Sequence, residues 1–187
     1  VNDVYQNGCT CVGTSLGVEK CNDGLEDFAL FTSTGAVSNA GISTINGHVG
    51  TNVGALTGFG SPSTLTGTAF APGLITAQAV IDVQYLYNQL LAAHPTIAHI
   101  PAFGSGETVL PGIYEIEGAG SLAGTITLDG LGNSGTVFIF KFGGAFTTGA
   151  GATVTLTGGA QHCNVYWISA GAIAMAANTT IVGTIIS

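Results

Sequence analysis

The sequence predicts a mainly β fold, a β-solenoid or barrel carrying one long α-helix. Three observations lead there. The half from Gly124 to Ser187 reads as short strands of alternating pattern at roughly ten-residue spacing, separated by glycine. That half is almost free of charge. Only one segment of the chain, residues 76–93, has convincing helical period. Short, regular strands with glycine corners are the pattern of solenoids and barrels.

Taken in order, residues 1–24 read as a cysteine-containing extension or cap, and residues 25–187 as the β domain. The first segment holds Cys9, Cys11, Cys21, Glu19, Lys20 and Asp23 and has little periodicity. Strands are expected at Phe28–Thr32, Ala36–Ser38, Ser43–Val49 and Thr64–Thr68, with corners at Gly35, Gly41, Gly50, Gly58 and Gly67. The helix follows Pro72-Gly73, with Thr76 as its N-cap and Pro95 as its stop. Val80, Val83, Tyr87, Leu90 and Leu91 form its apolar stripe, and His94 sits where the macrodipole favours positive charge. Leu110-Pro-Gly-Ile-Tyr114 reads as a type II turn entering a strand.

Further strands are expected at Gly124–Leu128, Val137–Phe142, Ala152–Thr157, Cys163–Ile168 and Thr179–Ile186. Alternation places Ile126, Leu128, Val154 and Leu156 on one side and Thr125, Thr127, Thr153, Thr155 and Thr157 on the other. Val137–Phe142 is apolar on both sides, so one face fills the interior and the other meets the helix. No repeat of constant length is present, which excludes a simple hexapeptide solenoid.

Composition narrows the function. Charged residues are 6% of 187, against about 25% in ordinary soluble domains. The net charge is −8 and the only basic residues are Lys20 and Lys141. Nucleic acid and anionic membrane surfaces are therefore not expected partners. Mean hydropathy is +0.52, yet the longest apolar run, Trp167–Ala177, is too short to span a bilayer. The start of the chain lacks a basic and apolar leader pattern and reads as a mature terminus, so the expected location is secreted or at the cell surface.

Cysteines at 9, 11, 21 and 163 read as disulfide-forming and not as a metal site, because Cys9-Thr-Cys11 lacks ligand spacing and no histidine is near. Three pairings are open. Geometry disfavours Cys9–Cys11, leaving Cys11–Cys21 with Cys9 reaching Cys163, or Cys163 as a buried free thiol in an apolar strand.

Several segments together resemble the microbial ice-binding protein family. They are Phe28-Ala-Leu-Phe31, Ile45-Asn-Gly-His-Val-Gly50, Leu65-Thr-Gly67, Ala77-Gln-Ala79, Leu110-Pro-Gly-Ile-Tyr114, Leu122-Ala-Gly-Thr-Ile-Thr-Leu-Asp129, Val137-Phe-Ile-Phe-Lys-Phe142 and Gly159-Ala-Gln-His-Cys-Asn-Val-Tyr-Trp167. The resemblance covers about residues 28–187 in order. It implies an irregular, right-handed β-solenoid with the long helix packed alongside. In that family the chain usually continues beyond Gly183–Ser187, and the cysteine-rich start is not part of the common pattern. From this the open end is expected to be covered, by residues 1–24 of a neighbouring chain adding as a strand or of the same chain folding back.

Three functions are weighed. Ice adsorption is the first. A flat, uncharged rank of stiff threonines offers hydroxyls to anchor water and methyls to order it. Its candidates are Thr125, Thr127, Thr147, Thr153 and Thr155, then Thr66, Thr68, Thr179 and Thr184, although threonine also simply suits exposed strands. The second is a structural subunit of an extracellular filament or surface layer, self-associating head to tail. The third, a polysaccharide-cleaving enzyme, is disfavoured. Glu115 and Glu117 stand alone, Asp129 belongs to a turn, and His48, His94, His99 and His162 have no metal-ligand spacing. No metal or cofactor is expected.

Overall fold

The computed structural model describes residues 27–39, 42, 44–94 and 96–187. The expected cap over residues 1–24, Gly41 and Cys9, Cys11 and Cys21 lie outside the described residues. Strands dominate, with a single α-helix among the described residues. The chain divides into two compact units, and the division falls between Leu86 and Tyr87, inside that helix.

The first unit holds β1 (Phe28–Thr32), β2 (Val37–Ser38), β3 (Thr44–Ile45), β4 (His48–Thr51), β5 (Leu56–Thr57), β6 (Thr64–Leu65) and β7 (Ala69–Phe70). They pair in parallel as β1-β4-β7, β2-β5 and β3-β6, so each passage through three strands is one coil stacked on the last. The strand expected over Ser43–Val49 is two strands, because Gly47 turns the chain at φ +120°. Gly50 lies within β4 and is not a corner. Likewise the strand expected over Thr64–Thr68 is β6 alone, with β7 beginning at Ala69.

The second unit repeats the plan. Its strands are β8 (Ile97–Ala98), β9 (Ala102–Gly104), β10 (Glu107–Val109), β11 (Gly112–Ile116), β12 (Gly120–Ala123), β13 (Thr125–Asp129), β14 (Phe138–Phe142), β15 (Phe146–Thr148), β16 (Thr153–Thr157), β17 (Val165–Ser169), β18 (Ile173–Ala174) and β19 (Thr184–Ile186). Three parallel sheets result, β8-β11-β14-β17-β19, β9-β12-β15-β18 and β10-β13-β16. This is a β-solenoid. The register steps from Ile97 to Tyr114, Phe140, Trp167 and Ile185, so coil length changes from turn to turn. That explains why no constant repeat is visible in the sequence.

In-register stacking puts like on like. Tyr114, Phe140 and Trp167 stack face to face inside the coil, with ring centroids 5.5 and 4.2 Å apart. Phe142, Phe146 and Trp167 continue the column, and Phe103 meets Phe140 edge-on. The Trp167 indole N–H donates to the Val182 carbonyl at 2.9 Å. The opposite face of β14 and β17, with Ile139, Tyr166 and Ile168, is buried as well, as two-sided hydrophobicity requires.

Helix α1 (Leu74–Ala92) starts two residues before the expected boundary. Thr76 is its third residue and not its N-cap. The cap position falls to Gly73, and the buried Thr76 hydroxyl reaches back to accept the Gly73 N–H at 2.9 Å. Leu91, expected on the apolar stripe, is exposed, whereas Ala79 and Leu90 are buried. At the far end the positive partner is Lys141 of β14, not the exposed His94. Its ammonium donates to the carbonyls of Leu91 at 2.8 Å and Ala93 at 3.0 Å, groups a helix end leaves unpaired. Burial lowers the Lys141 ammonium below its ordinary value, and the neighbouring Glu115 carboxylate opposes that shift. Lys141→Met keeps the stem but orphans both carbonyls, and is expected to lose about 1.5–3 kcal/mol in urea denaturation. An unchanged midpoint would mean that these bonds contribute nothing.

Two further expectations are corrected. Gly112 does not take the left-handed φ of a type II turn; it opens β11, its N–H donating to the Val137 carbonyl. The Tyr114 hydroxyl ties the bend instead, donating to Leu110 O at 2.7 Å. Cys163 is neither in a strand nor a free thiol. It lies half-buried in the 3-10 turn His162–Asn164 and is disulfide-bonded.

Buried phenols predict an alkaline limit. Burial holds Tyr166 well above its ordinary 10.0. Tyr114 is also raised, by burial first, with its bond to Leu110 opposing and Glu107 adding. The unfolded chain therefore releases these protons first, so stability falls as pH rises past the ordinary phenol value. Urea midpoints at about pH 9 and about pH 11 should differ, the latter being lower; equal midpoints would contradict this.

Candidate functional site

The sheet β10-β13-β16 turns one set of side chains inward and the other out. Val109, Ile126, Leu128 and Val154 are buried in the core, and Leu156 packs against it. A slip of one residue would exchange the faces, so this burial pins the register. The outward positions form two ranks. Thr108, Thr127 and Thr155 stand side by side in one, and Thr125, Thr153 and Thr180 in the other. Neighbours within a rank are about 4.8 Å apart, and the ranks are about 6.6 Å apart along the strands.

Most of these hydroxyls face solvent. Thr108, Thr125, Thr155 and Thr180 are exposed, and Thr127 and Thr153 half-buried. Only Thr153 spends its hydroxyl locally, donating to Gly151 O at 3.2 Å. Each threonine also carries a methyl, and β-branching holds each side chain in few rotamers.

The two acids in the strands of this sheet are held by local partners. Asp129, in register with Thr157, accepts the Leu131 N–H at 2.9 Å, the turn role expected for it. Glu107, in register with the buried Ile126, belongs to the inward set of β10; it lies 2.7 Å from His99 Nε2, and its second oxygen accepts the Gly104 N–H. The His99 ring is stacked on Phe103 at 4.0 Å, and its Nδ1 lies 2.7 Å from the Ile100 carbonyl. Gly104 makes the corner at φ +105°, where a Cβ would strike the Ala123 carbonyl of the next coil.

The other expected threonines are placed elsewhere. Thr147 is exposed on β15, in the row Ala102–Ser121–Thr147–Ala174 of the four-stranded sheet. Thr184 lies on β19 beside Tyr166, in the five-stranded sheet. Thr179 is turned into a loop, 2.9 Å from the Thr148 hydroxyl and donating to Ala176 O. Thr66 and Thr68 belong to the first unit; the Thr66 hydroxyl accepts the Gly47 N–H, and the Thr68 N–H donates to His48 Nδ1. The expected threonines are thus divided among three sheets and a loop of the second unit and the separate first unit, with Thr125, Thr127, Thr153 and Thr155 brought together. Thr108 and Thr180 complete their ranks and were not expected. Thr108 sits in a three-residue strand, too short to show alternation; the strand expected over Thr179–Ile186 is β19 (Thr184–Ile186) alone, with Thr180 joined to Thr153 by an isolated bridge. Among the described residues no group of three potential metal ligands occurs, and no helix is long and apolar enough to cross a membrane.

Residues 31–187 match the family described as Ice-binding-like. The chain belongs to that family. Among curated relatives, an ice-binding protein of Nostoc sp. (strain HG1) is 30% identical over 152 residues, 81% of this chain and 56% of its own length. Ice-binding protein K3-B1 of Typhula ishikariensis is 30% identical over 183 residues, 86% of this chain and 74% of its own. A solved structure of an ice-binding protein from an Antarctic bacterium of the Flavobacteriaceae superposes with a TM-score of 0.80 at 41% identity, covering 93% of this chain and 39% of that one. The chain therefore spans about half the length of the Nostoc relative and less of the solved protein. In this ice-binding-like chain the mainly β solenoid, with one α-helix among the described residues, superposes on that solved relative over 93% of the chain.

Proposed function

We propose that this chain adsorbs to ice through the threonine ranks of β10-β13-β16, without enzymatic turnover, as a protein of the cell exterior. The two in-register ranks carry the reading. They make a flat, uncharged grid of hydroxyls and methyls; the acid beside it, Asp129, is bonded locally, and Glu107 lies on the other side of the sheet. Charged groups hold water in arrangements unlike a lattice, whereas a fixed array of hydroxyls can hold it in place. A stiff face also loses little conformational entropy on adsorption. The names of the relatives support the reading, and the disulfide at Cys163 supports an oxidising compartment.

A second face has its own supporting observation. The four-stranded sheet carries no charged residue in any strand, and exposes Thr147 in a row of small side chains. It is flat but offers fewer hydroxyls, so the threonine grid is preferred.

Slow growth of ice in a dilute solution of the protein tests adsorption itself. Protein enriched in the ice fraction is the expected result. Exclusion into the remaining liquid, the behaviour of an ordinary solute, would overturn the proposal.

A further inference from the structure

Asn178-Thr179-Thr180 is the one place in the sequence where asparagine is followed, two residues on and without proline between, by Ser or Thr. That is the acceptor pattern for N-linked glycosylation, a surface modification of secreted proteins. The pattern alone is weak, and the fold supplies what it lacks. Asn178 is exposed at the tip of a turn with φ +60°. Its side-chain amide makes no hydrogen bond among the described residues. By contrast, Asn39, Asn133 and Asn164 use theirs to tie loops.

The turn beneath the tip is fixed. The Ala176 N–H donates to the Thr148 hydroxyl at 2.9 Å, and the Thr179 hydroxyl donates to Ala176 O at 2.8 Å. The Thr180 backbone is paired on both sides, with Ala152 O at 2.8 Å and the Val154 N–H at 2.9 Å. Asn178 is thus the group this turn leaves free, and a substituent on it displaces no packing.

We propose that Asn178 is an N-glycosylation site and that its glycan stands at the margin of the Thr125–Thr153–Thr180 rank. In the reaction the Asn178 amide nitrogen attacks the anomeric carbon of a polyprenyl-diphosphate-linked oligosaccharide. The N–C bond forms, the bond from that carbon to the diphosphate oxygen breaks, and the amide proton passes to the membrane transferase that catalyses the step. Thr180 is both the hydroxyl residue of the acceptor and the end of the rank. A glycan two residues away therefore reaches over that end. This second part rests on the ice face proposed above.

The test is the full chain secreted from a eukaryotic host, as wild type and as Asn178→Asp. Aspartate suits the replacement because it tolerates the left-handed backbone and cannot accept the glycan. Wild type should carry a mass that peptide-N-glycosidase removes, and Asn178→Asp should not. Absence of that mass, or its persistence in the variant, overturns the site. Enzymatic release of the glycan should raise thermal hysteresis. Equal hysteresis in a verified glycoform and its released product overturns the marginal placement. Inactivity of both forms counts against the ice face, while the mass measurement still decides the site.

Discussion

Replacing Thr127 and Thr155 together by tyrosine is expected to remove most of the protein's thermal hysteresis while leaving it folded. The two residues are adjacent members of one rank, paired in register across β13 and β16. Two rings there would lift the surface away from ice along the whole rank, because a rigid plane meets a rigid lattice only where nothing protrudes. The same rings are tolerated by the fold. Both positions face outward, aromatic residues suit strands, and surface substitutions of this kind shift stability by about 0.5 kcal/mol or less. Hysteresis and the urea midpoint, measured on one preparation, separate the effects. Full activity with an unchanged midpoint would place the ice contact elsewhere.

Phe140→Ala should lower stability by about 3–5 kcal/mol, the range for deleting a buried aromatic ring. Phe140 is 0% exposed and lies between Tyr114 and Trp167, with Phe103 against its edge. Neighbours on adjacent coils are held by their own strand hydrogen bonds, so they cannot close the gap. The empty volume persists, and the stacked column is broken at its middle. Phe140→Leu refills part of the space and should lose less. A loss under about 1 kcal/mol for the alanine variant would mean that this column is not what holds the coils together.

What was legible in the sequence follows from distance along the chain. Alternation within one strand is local, so Ile126, Leu128 and Val154 could be assigned inward and Thr125, Thr127, Thr153 and Thr155 outward before any coil was closed. Which strands stack is set by coil length, and coil length varies between Ile97, Tyr114, Phe140, Trp167 and Ile185. Local pattern therefore does not mark Thr108 and Thr180 as members of the ranks, nor does it separate Thr147 and Thr184 from the grid. The helix end shows the same limit. His94 was the basic residue nearest in sequence, but Lys141 arrives from β14 to hold the last carbonyls. Thr76 had the right chemistry for a cap, yet Pro72-Gly73 lets the helix begin two residues earlier, and the hydroxyl bonds backwards. The family resemblance rested on motifs spread along the whole β region, and Residues 31–187 match accordingly.

The most direct test of the threonine grid is a paired comparison of Thr155→Tyr and Thr147→Tyr in the same hysteresis and ice-shaping assay. Each places one ring on an exposed strand position, and each reports on a different sheet. The grid predicts that Thr155→Tyr loses activity and Thr147→Tyr keeps it. Activity lost in Thr147→Tyr and retained in Thr155→Tyr would contradict the grid and move the ice contact to β9-β12-β15-β18.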